Sequence, residues 1–282
     1  MIATDFSAGA KHAAEYGYTL ARQLKTNVVL CNAFIVPAQV PERGVLVWPR
    51  YEYDELLNDS AVELKELEQY LEGTARHEEF KPLITRINDD GPVQNVINQT
   101  IIKENIELLV MGAHGNTGLS GVVMGNHSRR MIDEAACPLL LVPSMAFVEP
   151  VKKVAFATDF KEPEKDIEAI FKLIPMLRRL SAELLLTHIY DEIDEVYDFK
   201  KHIESFLLEL SNKANYPHIY YRIVKSDKPE KGLDWLCRFG NVDMLAMVHR
   251  KHSFFDKLLK VSHTQKMADH ISVPLLVIPG DK

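Results

Sequence analysis

The chain repeats itself, and the repeat constrains its fold more than any other feature of the sequence. Thr4-Asp5-Phe6 recurs as Thr158-Asp159-Phe160. Ile106 to Met111 (IELLVM) matches Val242 to Met247 (VDMLAM), Met131 matches Met267, and Cys137 to Pro143 (CPLLLVP) matches Val273 to Pro279 (VPLLVIP). The offset between copies falls from 154 positions early to 136 late, so the first copy carries about twenty extra residues, placed in FIVPAQVPERGVLVWPRYEY after its second strand. A chain of 282 residues divides into two units that can each bury a core without disulfides or metal staples. The join falls in Ser144 to Pro150 (SMAFVEP), giving domains of residues 1–146 and 147–282.

Within each copy, short β-branched runs alternate with longer helical patterns. In the first, IATD reads as a strand and Ala8 to Leu24 as a helix capped by Ser7. NVVLCNAF is a strand, Glu55 to Gly73 a helix, KPLITRIND a strand, and Val93 to Asn105 a helix started by Pro92. IELLVMGA, a helix from Ser128 to Ala136, and PLLLVP complete the set. Strands alternating with helices require right-handed crossovers and a parallel sheet covered on both faces. The expected fold is α/β: two tandem Rossmann-like domains, each a mostly parallel five-stranded sheet flanked by helices. The second copy opens with Val151 to Val154, which have no counterpart in the first, and this points to a start upstream.

Composition excludes several functions. Hydrophobic residues make up 46% and charged residues 26% of the chain, with a formal charge of −7. That balance suits a folded protein and disfavours a nucleic-acid partner, whose phosphates need clustered Lys and Arg. Cys31, Cys137 and Cys237 are odd in number, scattered and set in apolar runs, so they read as buried thiols in a reducing, cytoplasmic compartment. No apolar run reaches the roughly 20 residues that span a bilayer, and no membrane partner is expected.

Residues 110 to 131, VMGAHGNTGLSGVVMGNHSRRM, hold Gly112, Gly115, Gly118, Gly121 and Gly125, five of the thirteen glycines in the chain. In an open parallel sheet, ligands bind beyond the carboxyl ends of the strands. Bare backbone at such an end lets a polyphosphate reach main-chain N–H groups, and glycine also tolerates the positive φ of tight anion-binding turns. Gly125-Asn126-His127-Ser128 then opens a helix whose free N–H groups and dipole favour an anion. Strand, glycine loop and helix N-terminus together make the layout of a phosphate cradle.

Gly112-x-x-Gly115 followed after nine residues by Gly125-Asn126 resembles the ATP-binding pattern of the universal stress protein family, as does the wider string GAHGNTGLSGVVMGNHS. Thr4-Asp5-Phe6-Ser7 and CPLLLVP also resemble that family, and the likeness covers the whole chain as a tandem pair. The resemblance implies that Ala3, Thr4 and Asp5 meet an adenine and that Ala33 lines the same pocket. It implies that Gly112, Gly115, Gly125, Asn126, His127 and Ser128 hold ribose and phosphates, with Met111 and His114 beside them. ATP with Mg²⁺ is the implied ligand, with no catalytic residue and no protein-bound metal. The two copies are implied to pair through the PLLLVP and PLLVIP edges as an internal pseudo-dimer, and a further homodimer is compatible with the pattern. Asn126 stands where serine is commoner and His127 where a small apolar residue is usual, but main-chain donors survive both changes. A second role stays open for Asp5, that of capping the following helix.

The second copy has no cradle. Against Gly112, Gly115, Gly118, Gly121 and Gly125 stand Val248, Lys251, Phe254, Lys257 and Val261. Side chains fill the space a triphosphate needs, and Asp159 alone reads as a cap. His249-Arg250-Lys251-His252, with His263, could converge on an anion or metal, but a solvated basic loop accounts for them as well. Phe254 and Phe255 read as a plug for the vacated pocket or as cover for an interface. In the insert, Trp48, Tyr51 and Tyr53 could form a lid over the nucleotide, make a partner surface, or simply tack the loop down.

The leading expectation is therefore an ATP-binding stress-response regulator. The same fold also carries ATP hydrolysis and adenylyl transfer, although GxxxxGK[ST] and the loops of adenylating enzymes are absent. A scaffold that dimerises without nucleotide would leave the glycine pattern unexplained.

Overall fold

The computed structural model describes residues 1–35, 50–74, 80–113, 125–190, 195–250 and 272–280. In the first repeat, β1 (Ile2–Ala3) leads to α1 (Ala8–Leu24), β2 (Val28–Phe34), α2 (Arg50–Gly73) and β3 (Ile84–Asp90). It continues through α3 (Val93–Lys103), β4 (Leu109–Gly112), α4 (Asn126–Glu134) and β5 (Leu139–Val142). The second repeat runs β6 (Lys153–Ala157), α5 (Pro163–Leu180), β7 (Glu183–Tyr190), α6 (Glu195–Ala214), β8 (Ile219–Lys225), α7 (Pro229–Phe239), β9 (Met244–His249) and β10 (Leu275–Pro279).

These strands form one ten-stranded sheet in the order β3-β2-β1-β4-β5-β10-β9-β6-β7-β8. Each half is parallel throughout, and the halves meet where β5 and β10 pair antiparallel, Leu140 opposite Leu276. Those two leucines are equivalent in the repeats, so the pseudo-twofold axis passes between them, as an isologous contact requires. All of β5 is buried, as are Leu275 to Ile278 of β10, so the seam is a run of aliphatic residues with no polar side chain. The edges expected to pair are those that do.

Helix α1 shows how local sequence sets this packing. Ser7 Oγ accepts from Ala10 N at 3.2 Å, the side-chain cap that starts the helix. Lys25 closes it in the left-handed region at φ 54°. Its inner face is built from Ala10, Ala13, Ala14 and Gly17, and a Cβ on Gly17 would fall 2.9 Å from Ile2 Cδ1. The helix axis therefore lies unusually close to β1 and β4.

One core lines each face of the sheet and runs through both repeats: α1, α2, α5 and α6 over one, α3, α4 and α7 over the other. The expected buried thiols are found, Cys31 and Cys137 pushed up to about 11 and Cys237 to about 12 by burial. Among the described residues, no helix is long and apolar enough to cross a membrane.

Some bounds differ from the sequence reading. Helix α2 begins at Arg50, so the end of the insert is helical. There Tyr53 packs on Phe34 with ring centroids 5.8 Å apart and donates to Asp90 Oδ1 at 3.4 Å. Tyr53 thus tacks the insert to the ends of β2 and β3, while Trp48 lies outside the described residues.

A side-chain clamp reinforces the seam between repeats. Gln23 of α1 donates from Nε2 to Val151 O at 2.7 Å and to Leu180 O at 3.1 Å, and its Oε1 accepts from Val151 N at 2.9 Å. Gln23→Ala strips three main-chain groups of their partner and should cost about 1–3 kcal/mol. Urea unfolding followed by circular dichroism measures this, with the midpoint expected to fall.

Candidate functional site

Strand order places one ligand crevice in each repeat. In the first, the chain runs outward from β1 to β2 and β3, then crosses back to lay β4 on the other side of β1. The switch point lies between the carboxyl ends of β1 and β4. Ile2 pairs with Val110, which sets Ala3-Thr4-Asp5 beside Met111-Gly112-Ala113.

At the end of β1 the chain folds into a compact turn. Thr4 Oγ1 accepts from Phe6 N at 3.0 Å, Asp5 Oδ1 accepts from Ser7 N at 3.1 Å, and Phe6 takes φ 61°. Asp5 therefore does make the capping contact left open by the sequence, yet its carboxylate stays exposed at the crevice and retains lone pairs for a donor. Thr4 N donates to Cys31 O at 2.9 Å and Thr4 O accepts from Asn32 Nδ2 at 2.8 Å, tying the turn to β2. Asn32 is 5% exposed, and its Oδ1 has no partner among the described residues. A buried amide oxygen left over in this way is costly unless something approaches it. Ala33, next along β2, is half-buried and pairs with Asp89 of β3.

At the end of β4, Gly112 is required by close approach rather than by backbone angle. Neither Gly112 nor Gly125 takes a positive φ, contrary to the expectation for anion-binding turns; Gly125 has φ −56°. A Cβ on Gly112 would instead lie 3.0 Å from Gly9 O in the first turn of α1. Met111 buries its side chain in the core beneath, so only its main chain borders the crevice.

Helix α4 is pinned to this strand end. Ser128 Oγ donates to Gly112 O at 2.8 Å and Gly125 N donates to Ala113 O at 3.1 Å. The Ser128 hydroxyl is thus committed to holding the helix, leaving its amide at the helix start. Among the described residues no side chain caps α4, and no acidic residue stands in its first turn. The amides of Asn126, His127 and Ser128 have no intrahelical acceptor, and the positive end of the helix dipole faces the crevice. Gln94 Nε2 lies 3.2 Å from His127 Nδ1 and fixes the ring; an amide donor there makes Nδ1 the acceptor and leaves the proton on Nε2. Asn126 is exposed at the same end.

The structure therefore gathers Ala3, Thr4, Asp5, Gly112, Gly125, Asn126, His127 and Ser128 around one crevice, with Ala33 a strand away and Met111 below. His114 and Gly115, with Gly118 and Gly121, lie outside the described residues. Sequence reading missed Asn32 and Gln94, and its one available signal for Asn32 was an amide inside an apolar strand.

The corresponding rim of the second repeat keeps the turn and adds an ion pair beside it. Thr158 Oγ1 accepts from Phe160 N at 2.9 Å, Asp159 Oδ1 accepts from Lys161 N at 3.2 Å, and Phe160 has φ 53°. His188 occupies the place of Asn32, its Nδ1 3.0 Å from Thr158 O. Beyond Val248, Arg250 turns inward and donates from Nη2 to Asp166 Oδ1 at 2.7 Å. The other oxygen of Asp166 accepts from the Thr158 hydroxyl. Asp166 is 1% exposed, and burial pushes its carboxyl above the usual range against the opposing pull of Thr158 and Arg250. An internal ion pair thus stands beyond the end of the second repeat's central strand.

His249 reaches back to the first repeat, Nε2 lying 2.8 Å from Asp133 Oδ1 on α4. A carboxylate does meet the histidine run, one the sequence could not pair with it across 116 positions. Among the described residues no cluster has the makings of a metal site. Lys251, His252, Phe254, Phe255, Lys257, Val261 and His263 lie outside them.

Arg250→Ala leaves the Asp166 carboxylate buried without its counter-charge, at an expected cost of about 3–5 kcal/mol. Loss of the cation raises the Asp166 pKa further. The deficit should be largest above that raised pKa, where the buried group is an unpaired carboxylate, and should shrink as pH falls through it. Denaturant unfolding of both proteins from pH 7.5 to 4.5 reads it out.

Comparison with known proteins finds one family twice along the chain. The model of the universal stress protein family matches residues 1–143 and again 150–279. A universal stress protein of Methanocaldococcus jannaschii is 30% identical over 146 residues, covering 50% of this chain and 79% of that protein. The crystal structure of a universal stress protein from Archaeoglobus fulgidus superposes with a TM-score of 0.70 at 17% identity, over 99% of this chain and 96% of that one. A protein of unknown function from Pseudomonas aeruginosa gives 0.52 at 12% identity, over 90% and 83% of the two chains. At those identities the two structures speak to the fold alone.

Proposed function

This chain belongs to the universal stress protein family, and from that premise we propose that its first repeat binds ATP with Mg²⁺ and that occupancy of the site sets the state of a stress-response regulator. The observation that carries the reading is the uncapped start of α4, held by Ser128 and Gly125 against the glycine end of β4 at the switch point. Amides of Asn126, His127 and Ser128 suit the phosphate oxygens, which need donors fixed in advance. Thr4 and Asp5 suit the adenine: an exposed carboxylate accepts from an exocyclic amino group, and the Asn32 amide oxygen beneath gains the partner it otherwise lacks. The metal ion would neutralise charge between phosphates, without any dedicated protein ligand.

The second repeat supports the same reading by contrast. Arg250 supplies from within the charge that a nucleotide site would direct at a phosphate, and it commits that charge to Asp166. One nucleotide per chain follows.

Calorimetric titration with ATP and Mg²⁺ tests this, with a stoichiometry of one expected. Gly115→Val should abolish binding, and Asp5→Ala should weaken it about tenfold, equivalent to about 1.4 kcal/mol, while far-ultraviolet dichroism stays unchanged. Two sites per chain, or none, would overturn the proposal; sustained phosphate release would move it towards the hydrolase reading.

A further inference from the structure

The outer edge of the second repeat carries a feature that nucleotide binding does not use. Strand β8 ends the sheet, and no described residue pairs with its free side. His218 O accepts from Leu184 N at 2.8 Å and Ser226 N donates to Tyr190 O at 2.9 Å, so the even-numbered residues bond to β7. In a parallel ladder the alternate residues then face away, leaving the main-chain N–H and C=O groups of Tyr221, Ile223 and Lys225 on the open side.

Between this edge and α7 runs an open groove of about 730 Å³, lined by Arg222, Lys225, Trp235 and Phe239 among others. Trp235 is 46% and Phe239 67% exposed, with ring centroids 6.1 Å apart. An exposed tryptophan beside an exposed phenylalanine is the kind of apolar surface that partners bury. Among the described residues Lys231 has Asp227 as a partner at 3.1 Å, whereas Arg222 and Lys225 have no carboxylate within ion-pair distance. The Arg222 guanidinium lies at the Phe239 end, where a Cβ on Gly240 would come within 3.3 Å of its Nη1.

The sister repeat acts as an internal control. At the positions of Trp235 and Phe239, 136 residues earlier, stand Gln99 and Lys103, and in the strand register the place of Lys225 is taken by Asp90. The fold therefore needs neither the aromatic pair nor the positive charge. Both edge strands carry charge, but β3 has Asp89 and Asp90 beside Arg86, whereas the charged side chains of β8 are the cations Arg222 and Lys225.

We propose that the groove between β8 and α7 is a docking site for an extended acidic segment of another protein, which adds to β8 as a further strand. Main-chain bonds to Tyr221, Ile223 and Lys225 would supply affinity common to any strand. Carboxylates near Arg222 and Lys225, with an apolar side chain on Trp235 and Phe239, would supply the choice of partner. A basic or neutral segment leaves both cations unanswered.

The test uses the full chain and two end-blocked synthetic peptides, Glu-Val-Glu-Phe-Glu-Val-Glu and its lysine counterpart Lys-Val-Lys-Phe-Lys-Val-Lys, in fluorescence-polarisation titrations. The acidic peptide should bind saturably at one site and the basic one should not. Trp235→Gln, Phe239→Lys and Arg222→Ala should each weaken binding at least tenfold; the first two install residues the sister repeat already carries there. Hydrogen exchange should slow at the amides of Tyr221, Ile223 and Lys225 when the acidic peptide is bound. Equal binding of both peptides, binding indifferent to the three variants, or no binding would overturn the proposal. So would sedimentation showing a concentration-dependent dimer that Trp235→Gln dissolves, since a second copy would then be the occupant.

Discussion

The antiparallel pairing of β5 with β10 is the contact on which the rest of the molecule depends. Each repeat alone would leave a fully apolar strand at its edge, and joining the two removes both liabilities while making one continuous sheet. Because each half is parallel and the seam is antiparallel, the carboxyl ends of the two halves point to opposite rims of the sheet. The two crevices therefore sit far apart and were free to diverge. Gln23 and the packing of α1 on α5 fix the helical layer above the same seam.

Divergence kept the architecture and changed the contents. Thr4-Asp5-Phe6 and Thr158-Asp159-Phe160 build the same turn with the same hydroxyl and carboxylate contacts, and Asn32 and His188 tie it to the neighbouring strand in the same way. The difference lies beyond the central strand. In the first repeat a glycine meets a helix end that no described side chain caps; in the second an arginine folds in and meets a buried aspartate. His249 on Asp133 ties the end of β9 to the helix whose other end borders the switch point of the first repeat, so the two regions share an element.

Much of this was legible in the sequence because it is local or periodic. The duplication, the parallel halves, the cap at Ser7 and the pairing of the two leucine-rich edges all rest on short-range signals or on equivalence between copies. The loss of glycine in the second repeat was visible for the same reason, but its replacement was not. Arg250 and Asp166 are 84 positions apart and meet only once β9 and α5 are packed, and nothing in the run HRKH marks one cation as the inward one. The reason for Gly112 was likewise hidden, since its constraint is Gly9 O on a helix about a hundred residues earlier rather than its own backbone angle. Sequence position suggested loop where α2 already begins at Arg50, because proline and aromatic residues just before it mask the helical start.

Among the described residues, the first half presents helix-end amides without an intrahelical acceptor at its switch point, and the second an arginine paired with a buried aspartate. Amide resonances of the isotopically labelled chain, followed as Mg²⁺-ATP is added, address that claim residue by residue. Shifts concentrated at Thr4 to Ser7, Gly112, Ala113 and Gly125 to Ser128, with Thr158 to Lys161 and Val248 to Arg250 unmoved, are the predicted result. Equal shifts at both rims, or shifts confined to the second, would contradict it.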